Sequence, residues 1–367
     1  MSKAGGRRAK LIRRSANTTS NFRFYEIHKI LGLPNKAVFD PVMLMGGVLG
    51  RTRINFCLAF AFTVLAAGGL EAQGVLLPDA STPTPTPSAT PASRLANIST
   101  RAFVQTGDDV MIGGFIVQGT EPKSVIIRAI GPELTQYVVP DVLADPTLDL
   151  YDGTGALIAS NDSWLHTIIG GIITSDQVRD IRNSGHAPTD ARESAIIADL
   201  PAGNYTAIVR GVNNTMGVAL AEVYDLSPES NSILGNVSTR ALVEIGDNVM
   251  IGGFIIHGFQ PKRVILRAIG PELSQYGVPD VLPDPTLELH DRSGALIASN
   301  DDWQHTIIGG IITGDQVREI RSSGYAPRDP RESAIIADLP PGSYTGIVRG
   351  KNLITGVALV EVYDLDE

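Results

Sequence analysis

Cysteine is almost missing: one residue, Cys57, in 367. It lies inside an apolar run, so the remaining chain can build neither a disulfide framework nor a cysteine nucleophile. The residues before it, Ile54-Asn55-Phe56, are not the small residues of a lipoprotein box. Aromatic side chains make up only 6% of the sequence and tryptophan occurs twice, which is sparse for a binding face built from clustered rings. No Gly-x-Ser-x-Gly or His-Glu-x-x-His string is present to organise hydrolysis. The longest apolar run falls short of the roughly 20 residues that span a bilayer.

What the chain has instead is duplication. Residues 97–226 recur as 236–365 without insertion or deletion, and 34 of the 130 aligned pairs differ. A period this long exceeds a solenoid or propeller repeat, so each copy can carry its own core. Binding and spacer proteins gain from such tandem copies more readily than enzymes do.

The first 96 residues read as export machinery and stalk. Arg51 and Arg53 form a basic n-region, Phe56–Ala67 an apolar h-region, and Leu70-Glu71-Ala72 a cleavage site, so 51–72 reads as a signal peptide. An uncleaved signal anchor is the alternative, and both readings export the repeats. Residues 1–50 precede it as an extension, and Met43 or Met45 would place the n-region at a start. The run Arg7-Arg8-Ala9-Lys10-Leu11-Ile12-Arg13-Arg14 reads neither as a twin-arginine signal, for want of an apolar segment directly after it, nor as a nucleic-acid-binding run, since the remainder of the chain is acidic. Residues 73–96 contain Ser81-Thr-Pro-Thr-Pro-Thr-Pro-Ser-Ala-Thr-Pro-Ala-Ser93, an extended Thr/Pro linker rising about 3.1 Å per residue. A second linker, 227–235, joins the copies.

Beyond Ala72 stand 19 Lys/Arg against 36 Asp/Glu, a formal balance of −17. Such a surface repels phosphate backbones and argues against a nucleic-acid partner.

Within one copy, Ile98–Val104, Val110–Gln118, Ser124–Ile130, Thr147–Tyr151, Ala156–Ser160, Ser194–Leu200, Asn204–Arg210 and Val218–Tyr224 are short β-branched or aromatic-containing runs between turn signals. In Thr147–Tyr151 leucines alternate with outward Asp149 and Tyr151, the pattern of a half-buried strand. Thr174-Ser-Asp-Gln177 has capping-box spacing for one short helix, which Gly185 and Pro188 end; its counterpart begins at Thr313. The expectation is an all-β protein of two tandem β-sandwich, jelly-roll-like domains, each with one short helix.

Thr147-Leu-Asp-Leu-Tyr-Asp-Gly-Thr-Gly-Ala-Leu-Ile-Ala-Ser-Asn-Asp162, Ser194–Gly211 with its Gly-x-Tyr-Thr strand, and Gly217–Leu226 together resemble the bacterial pre-peptidase C-terminal family. The resemblance covers roughly the latter 60% of each copy and implies small β-sandwiches of secreted proteins, some relatives binding calcium or extracellular polymers. The peptidase domain such modules accompany is missing here, and Asn97–Leu143 and the helix lie outside the pattern. The whole copy is also similar to tandem repeats of undefined function in bacterial surface proteins.

Three sets of residues are candidates for function. Asp149, Asp152, Asn161 and Asp162, repeated as Glu288, Asp291, Asn300 and Asp301, could offer hard oxygens to calcium, with Asp145, Asp284 and Asp302 nearby; the alternative is turn formation. Trp164 and Trp303 could stack on a sugar ring, or cap a sandwich end by burial. His166 and His305 are the histidines shared by both copies, and a triad of His166 with Asp162 and a serine lacks its supporting motif. Arg128, Arg192, Glu193 and Arg210, repeated as Arg267, Arg331, Glu332 and Arg349, read as cross-strand ion pairs. The reading that follows is an exported, non-catalytic protein of the cell surface, extracellular space or periplasm. Its copies bind an extracellular polysaccharide or surface protein, with calcium the one candidate cofactor and a signal anchor the only route to a membrane. The alternatives are structural spacers or a secreted hydrolase.

Overall fold

A computed structural model describes residues 93–366; the expected signal, basic run and most of the Thr/Pro stalk lie outside the described residues. In the first copy the strands are β1 (Arg94–Val104), β2 (Met111–Gln118), β3 (Lys123–Ile130), β4 (Pro146–Asp152), β5 (Leu157–Asn161), β6 (Ser194–Leu200), β7 (Gly203–Gly211) and β8 (Gly217–Asp225), with helix α1 at Val178–Asn183. The second copy follows as β9 (Ile233–Val243), β10 (Met250–His257), β11 (Lys262–Ile269), β12 (Pro285–Asp291), β13 (Leu296–Asn300), helix α2 (Val317–Ser322), β14 (Ser333–Leu339), β15 (Gly342–Gly350) and β16 (Gly356–Asp364). The protein is thus predominantly β, and every pairing between these strands is antiparallel. Among the described residues no helix is long and apolar enough to cross a membrane.

Alternation decides which face each strand buries. Leu148 and Leu150 of β4 are 0% exposed while Asp149 and Tyr151 point outward, as their spacing predicts. β3 is different, because Val125, Ile126 and Ile127 are all fully buried. One face carries Val125 and Ile127 into a core shared with Ile196, Leu148, Leu150 and Val209. On the other face Ile126 meets Trp164, Ile181 of α1 and Ala195. The helix and the loops around it therefore roof the β6-β3-β8 sheet, and this explains why a six-residue helix interrupts an otherwise β chain.

The helix is shorter than the capping box implies. The N-cap position falls on Gln177, not Thr174; just before it the Asp176 carboxylate accepts the Val178 N–H and the Thr167 hydroxyl, and the same hydroxyl accepts the Gln177 N–H. Gln177 also covers the outer edge of β6. Its amide donates to the Ile197 carbonyl and accepts the Ile197 N–H, taking the place of a neighbouring strand. The edge of β5 is partly closed by the Ile172 N–H, which donates to the Ile158 carbonyl at 2.9 Å.

The strand order contains the main departure from two separate modules. One continuous path runs β13-β12-β15-β10-β1-β9-β2-β7-β4-β5, with β3, β6 and β8 attached to β1, and β11, β14 and β16 attached to β9. β1 and β9 each pair along one edge with their own copy and along the other with the opposite copy. β1 starts before the boundary at residue 97, and β9 takes in the last residues of the linker expected at 227–235. The register of β1 against β10 shifts between Ala96 and Ile98, and alternation in any case does not name a partner.

On the roofed face Arg128 stands directly opposite Glu222 across β3 and β8, and the two are ion-paired with both side chains buried. Tyr224 donates its hydroxyl to the other Glu222 oxygen at 2.8 Å, and His186 stacks on the Tyr224 ring at 4.1 Å. Burial opposes the Arg128 charge, but the adjacent Glu222 carboxylate more than offsets it and raises the guanidinium pKa. Arg267, Glu361 and Tyr363 repeat the arrangement with Tyr325 in place of His186. The cross-strand pair inferred from sequence is therefore present, but in the interior and not on an exposed surface. Replacing Arg128 with Met leaves Glu222 buried without its counter-ion. The expected loss is about 3–5 kcal/mol in urea unfolding, and adding Glu222→Leu should restore a large part of it.

Candidate functional site

The acidic hairpin residues stay close in sequence but serve separate local tasks. Asp152 Oδ1 accepts the Thr154 N–H, the Thr154 hydroxyl and the Ala156 N–H, closing the β4–β5 turn. The Thr154 hydroxyl is the main reason its pKa is held below the usual carboxylate range. Asp291 does the same with Ser293 and Ala295. Asp149 pairs with Arg210 at 2.9 Å and accepts the Ser160 hydroxyl; Glu288 pairs with Arg349 at 2.6 Å. Asn161 is buried, its amide donating to the Ser163 and His166 carbonyls and accepting the Ala195 N–H. Asn300 repeats these bonds.

Asp162 is exposed. Its counterpart Asp301 meets Lys351 at 3.0 Å, and the same ammonium lies 3.7 Å from Asp284 and 3.8 Å from Asp302. The first copy has Val212 and Ser163 where the second has Lys351 and Asp302. One substitution adds an anion and the other a cation beside it. Among the described residues no group of three or more His, Cys, Asp or Glu side chains is placed to hold a metal ion.

Trp164 and Trp303 are 8% and 5% exposed. Each indole N–H donates to a backbone carbonyl, of Asp190 or Asp329, and a guanidinium, of Arg182 or Arg321, lies over each ring. The roof of the sheet uses these rings, so neither is open to a sugar face. His166 and His305 are exposed on the adjoining loop, where their carbonyls accept the Asn161 and Asn300 amides.

Glu193 and Glu332, read from sequence as ion-pair members, do something else. Each is fully buried, and the Glu193 carboxylate accepts the Gly131 and Glu133 N–H groups at 2.7 Å, sealing the start of the six-residue 3-10 helix Pro132–Tyr137. Burial lifts its pKa to about 7 against the pull of those two N–H groups, and the same holds for Glu332. Arg192 pairs with Asp190 at the exposed surface and donates to the Ala144 carbonyl.

A cleft that no motif announces lies at the seam between the copies. It has a volume of about 480 Å³ and is formed almost wholly by the second copy, with Arg101 of β1 contributed by the first. Val249, Ile251 and Ile347 make its apolar floor. Ile245 and Leu353, 55% and 75% exposed, stand on the rim beside Ile354. The first copy has Thr106, Asn214 and Thr215 at these three rim positions. The Glu288–Arg349 pair borders the apolar floor. Although burial opposes it, hydrogen bonds from His290 and Arg349 hold the Glu288 carboxyl below its usual range. Arg101 is 6% exposed, and its Nη2 donates to the Asp247 carbonyl at 3.1 Å. The sequence signal for the cleft was the clustering of polar-to-aliphatic differences between copies at 106/245, 214/353 and 215/354, which becomes meaningful only when folding joins the two loops.

Two outcomes follow. Replacing Asp152 and Asp291 with Ala removes turn hydrogen bonds, so stability should fall by about 1 kcal/mol per turn. The decrement in a melting experiment should be the same in calcium and in chelator. Glu193 and Glu332 titrate near pH 7 when folded against an ordinary value of 4.5. Protonation therefore favours the folded state, and their contribution is lost as pH rises from about 4.5 to about 7.5. The Glu193→Gln/Glu332→Gln protein should show a flatter decline of unfolding free energy across that window, by a few kcal/mol in total.

No family model matches the chain, and no curated protein matches it either. Among solved structures, a DUF4785 family protein from Legionella pneumophila is similar over 78% of this chain and 89% of that one, with 8% identity and a TM-score of 0.20. A likeness that slight carries no argument about fold or activity.

Proposed function

We propose that this is an exported, non-catalytic protein of the cell surface or extracellular space, whose two copies are β-sandwich modules of the pre-peptidase C-terminal kind. Its role is adhesion, through binding of an extracellular polymer or surface protein. The observation that carries this reading is the seam cleft. Core positions exchange one apolar side chain for another, as at Val117/Ile256 and Ile127/Leu266, whereas at the cleft rim the second copy has Ile245, Leu353 and Ile354 and the first has polar residues. Exposed aliphatic side chains around an apolar floor, bordered by an ion pair, suit a segment with apolar and polar groups along its length. Scarce aromatics and buried tryptophans turn the reading from sugar stacking toward a surface protein or peptide segment as ligand. The shared strands hold the copies in one orientation, which also fits the spacer role.

The chain from residue 73 would be screened against arrays of surface-protein peptides and extracellular polysaccharides, beside the Ile245→Thr/Leu353→Asn/Ile354→Thr protein, which gives the cleft the first copy's rim. A ligand held at least tenfold more weakly by the triple variant supports the reading. Equal retention by both proteins places binding elsewhere, and a chain that retains nothing favours the spacer.

A further inference from the structure

The seam is built twice, from equivalent positions on both sides. Arg94–Arg101 of β1 lies along β10, from Arg94 opposite His257 to Arg101 opposite Ile251. Ile233–Arg240 of β9 lies along β2 in the same way, from Ile233 opposite Gln118 to Arg240 opposite Ile112. Three polar contacts recur on the two sides at the offset of 139 residues. Arg101 donates to the Asp247 carbonyl and Arg240 to the Asp108 carbonyl. The Ser93 hydroxyl accepts the Gln260 N–H, and the Ser232 hydroxyl accepts the Glu121 N–H. Thr100 and Thr239 meet each other at 2.8 Å, where the local two-fold relation brings equivalent residues face to face. Leu95 and Leu234, near the tips of the arms, are each 1% exposed.

The receiving edge is shaped for the arm. Gly119 and Gly258 follow β2 and β10 with φ of +120° and +117°, and a Cβ at either position would lie 2.4 Å from the hydroxyl of Ser232 or Ser93 on the arriving arm. Without an arm, the outer edge of β2 or β10 would present a row of unpaired backbone groups. With both arms seated these edges are filled. The contact is isologous, each copy giving what it receives, and such a contact closes at two.

We infer that arm and edge form a self-recognition interface whose partner is a second copy of this same module. The six residues from Ser227 to Ser232 connect a pair that would hold without them, and the chain is in effect a fused dimer. A copy separated from its neighbour takes another copy, of either sequence, through the same arm-for-arm exchange.

The test uses the full chain with a protease site inserted between the exposed Pro228 and Glu229. After cleavage of the folded protein, native mass spectrometry at low micromolar concentration should find both fragments in one complex of 1:1 composition. Unfolding the cut protein in urea and refolding it should give pairs of first with second copy together with pairs of like copies. Fragments that separate as folded monomers after cleavage would overturn the inference. A second cut protein carrying Gly119→Val and Gly258→Val blocks both edges, and a circular-dichroism spectrum matching the parent shows that its strands remain. Its fragments should dissociate at least 100-fold more readily. If they stay together as tightly as the parent's, the arms are not what joins the copies and the assignment fails.

Discussion

Backbone hydrogen bonding at the edges of β2 and β10 is the constraint on which the arrangement of the two copies rests. A buried or half-buried strand edge cannot leave its N–H and C=O groups without partners, and the neighbouring copy's long first strand supplies them on both sides. β1 and β9 can do this because each is eleven residues long and is paired along both of its edges near its middle. The register then brings Thr100 to Thr239, Arg101 to the turn at Asp247, and Leu95 into the interior. Arg101, carried across by the exchange, joins the second copy's Val249, Ile251 and Ile347 in lining the seam cleft.

A second layer of polar groups holds the roof of each sheet. Arg128 with Glu222 and Tyr224, and Glu193 on the Gly131 and Glu133 N–H groups, sit where loops and a one-and-a-half-turn helix cover β3. Buried ions are a costly way to fasten a roof, but each fixes its neighbours by direction as well as by distance. The tryptophans belong to the same layer: Trp164 joins Ile126 and Ile181 beneath Arg182. Residues that read as surface chemistry in a linear sequence are thus largely structural.

How much was readable follows from what each signal encodes. All eight strands of a copy were visible from alternation and turn residues, with ends off by a few residues, because a half-buried strand needs a period of two wherever it sits. Asp152 as a turn former was also readable, since its partners are two and four residues away. Arg128 was recognised as a cross-strand partner, but its burial was not, because the covering loop comes from residues near 186. Asn161 and Trp164 looked available for ligands for the same reason: their partners at Ala195 and Asp190 lie about thirty positions on. The helix start moved from Thr174 to Gln177, where Thr167, ten residues earlier, accepts the Gln177 N–H and donates to Asp176.

By itself the sequence determined the duplication, the β character of each copy, the order of its strands and the chemistry of its turns, all of which depend on neighbours within a few residues. Only the tertiary structure decided whose edge each long strand completes. Alternation states which face of a strand is buried but not whose backbone it pairs with, and two nearly identical copies offer two nearly equivalent edges. The choice is settled by geometry that no local pattern records. A six-residue connection leads Leu226 into β9, the arm runs along β2 of the copy already made, and the first copy's own arm is left to fill β10.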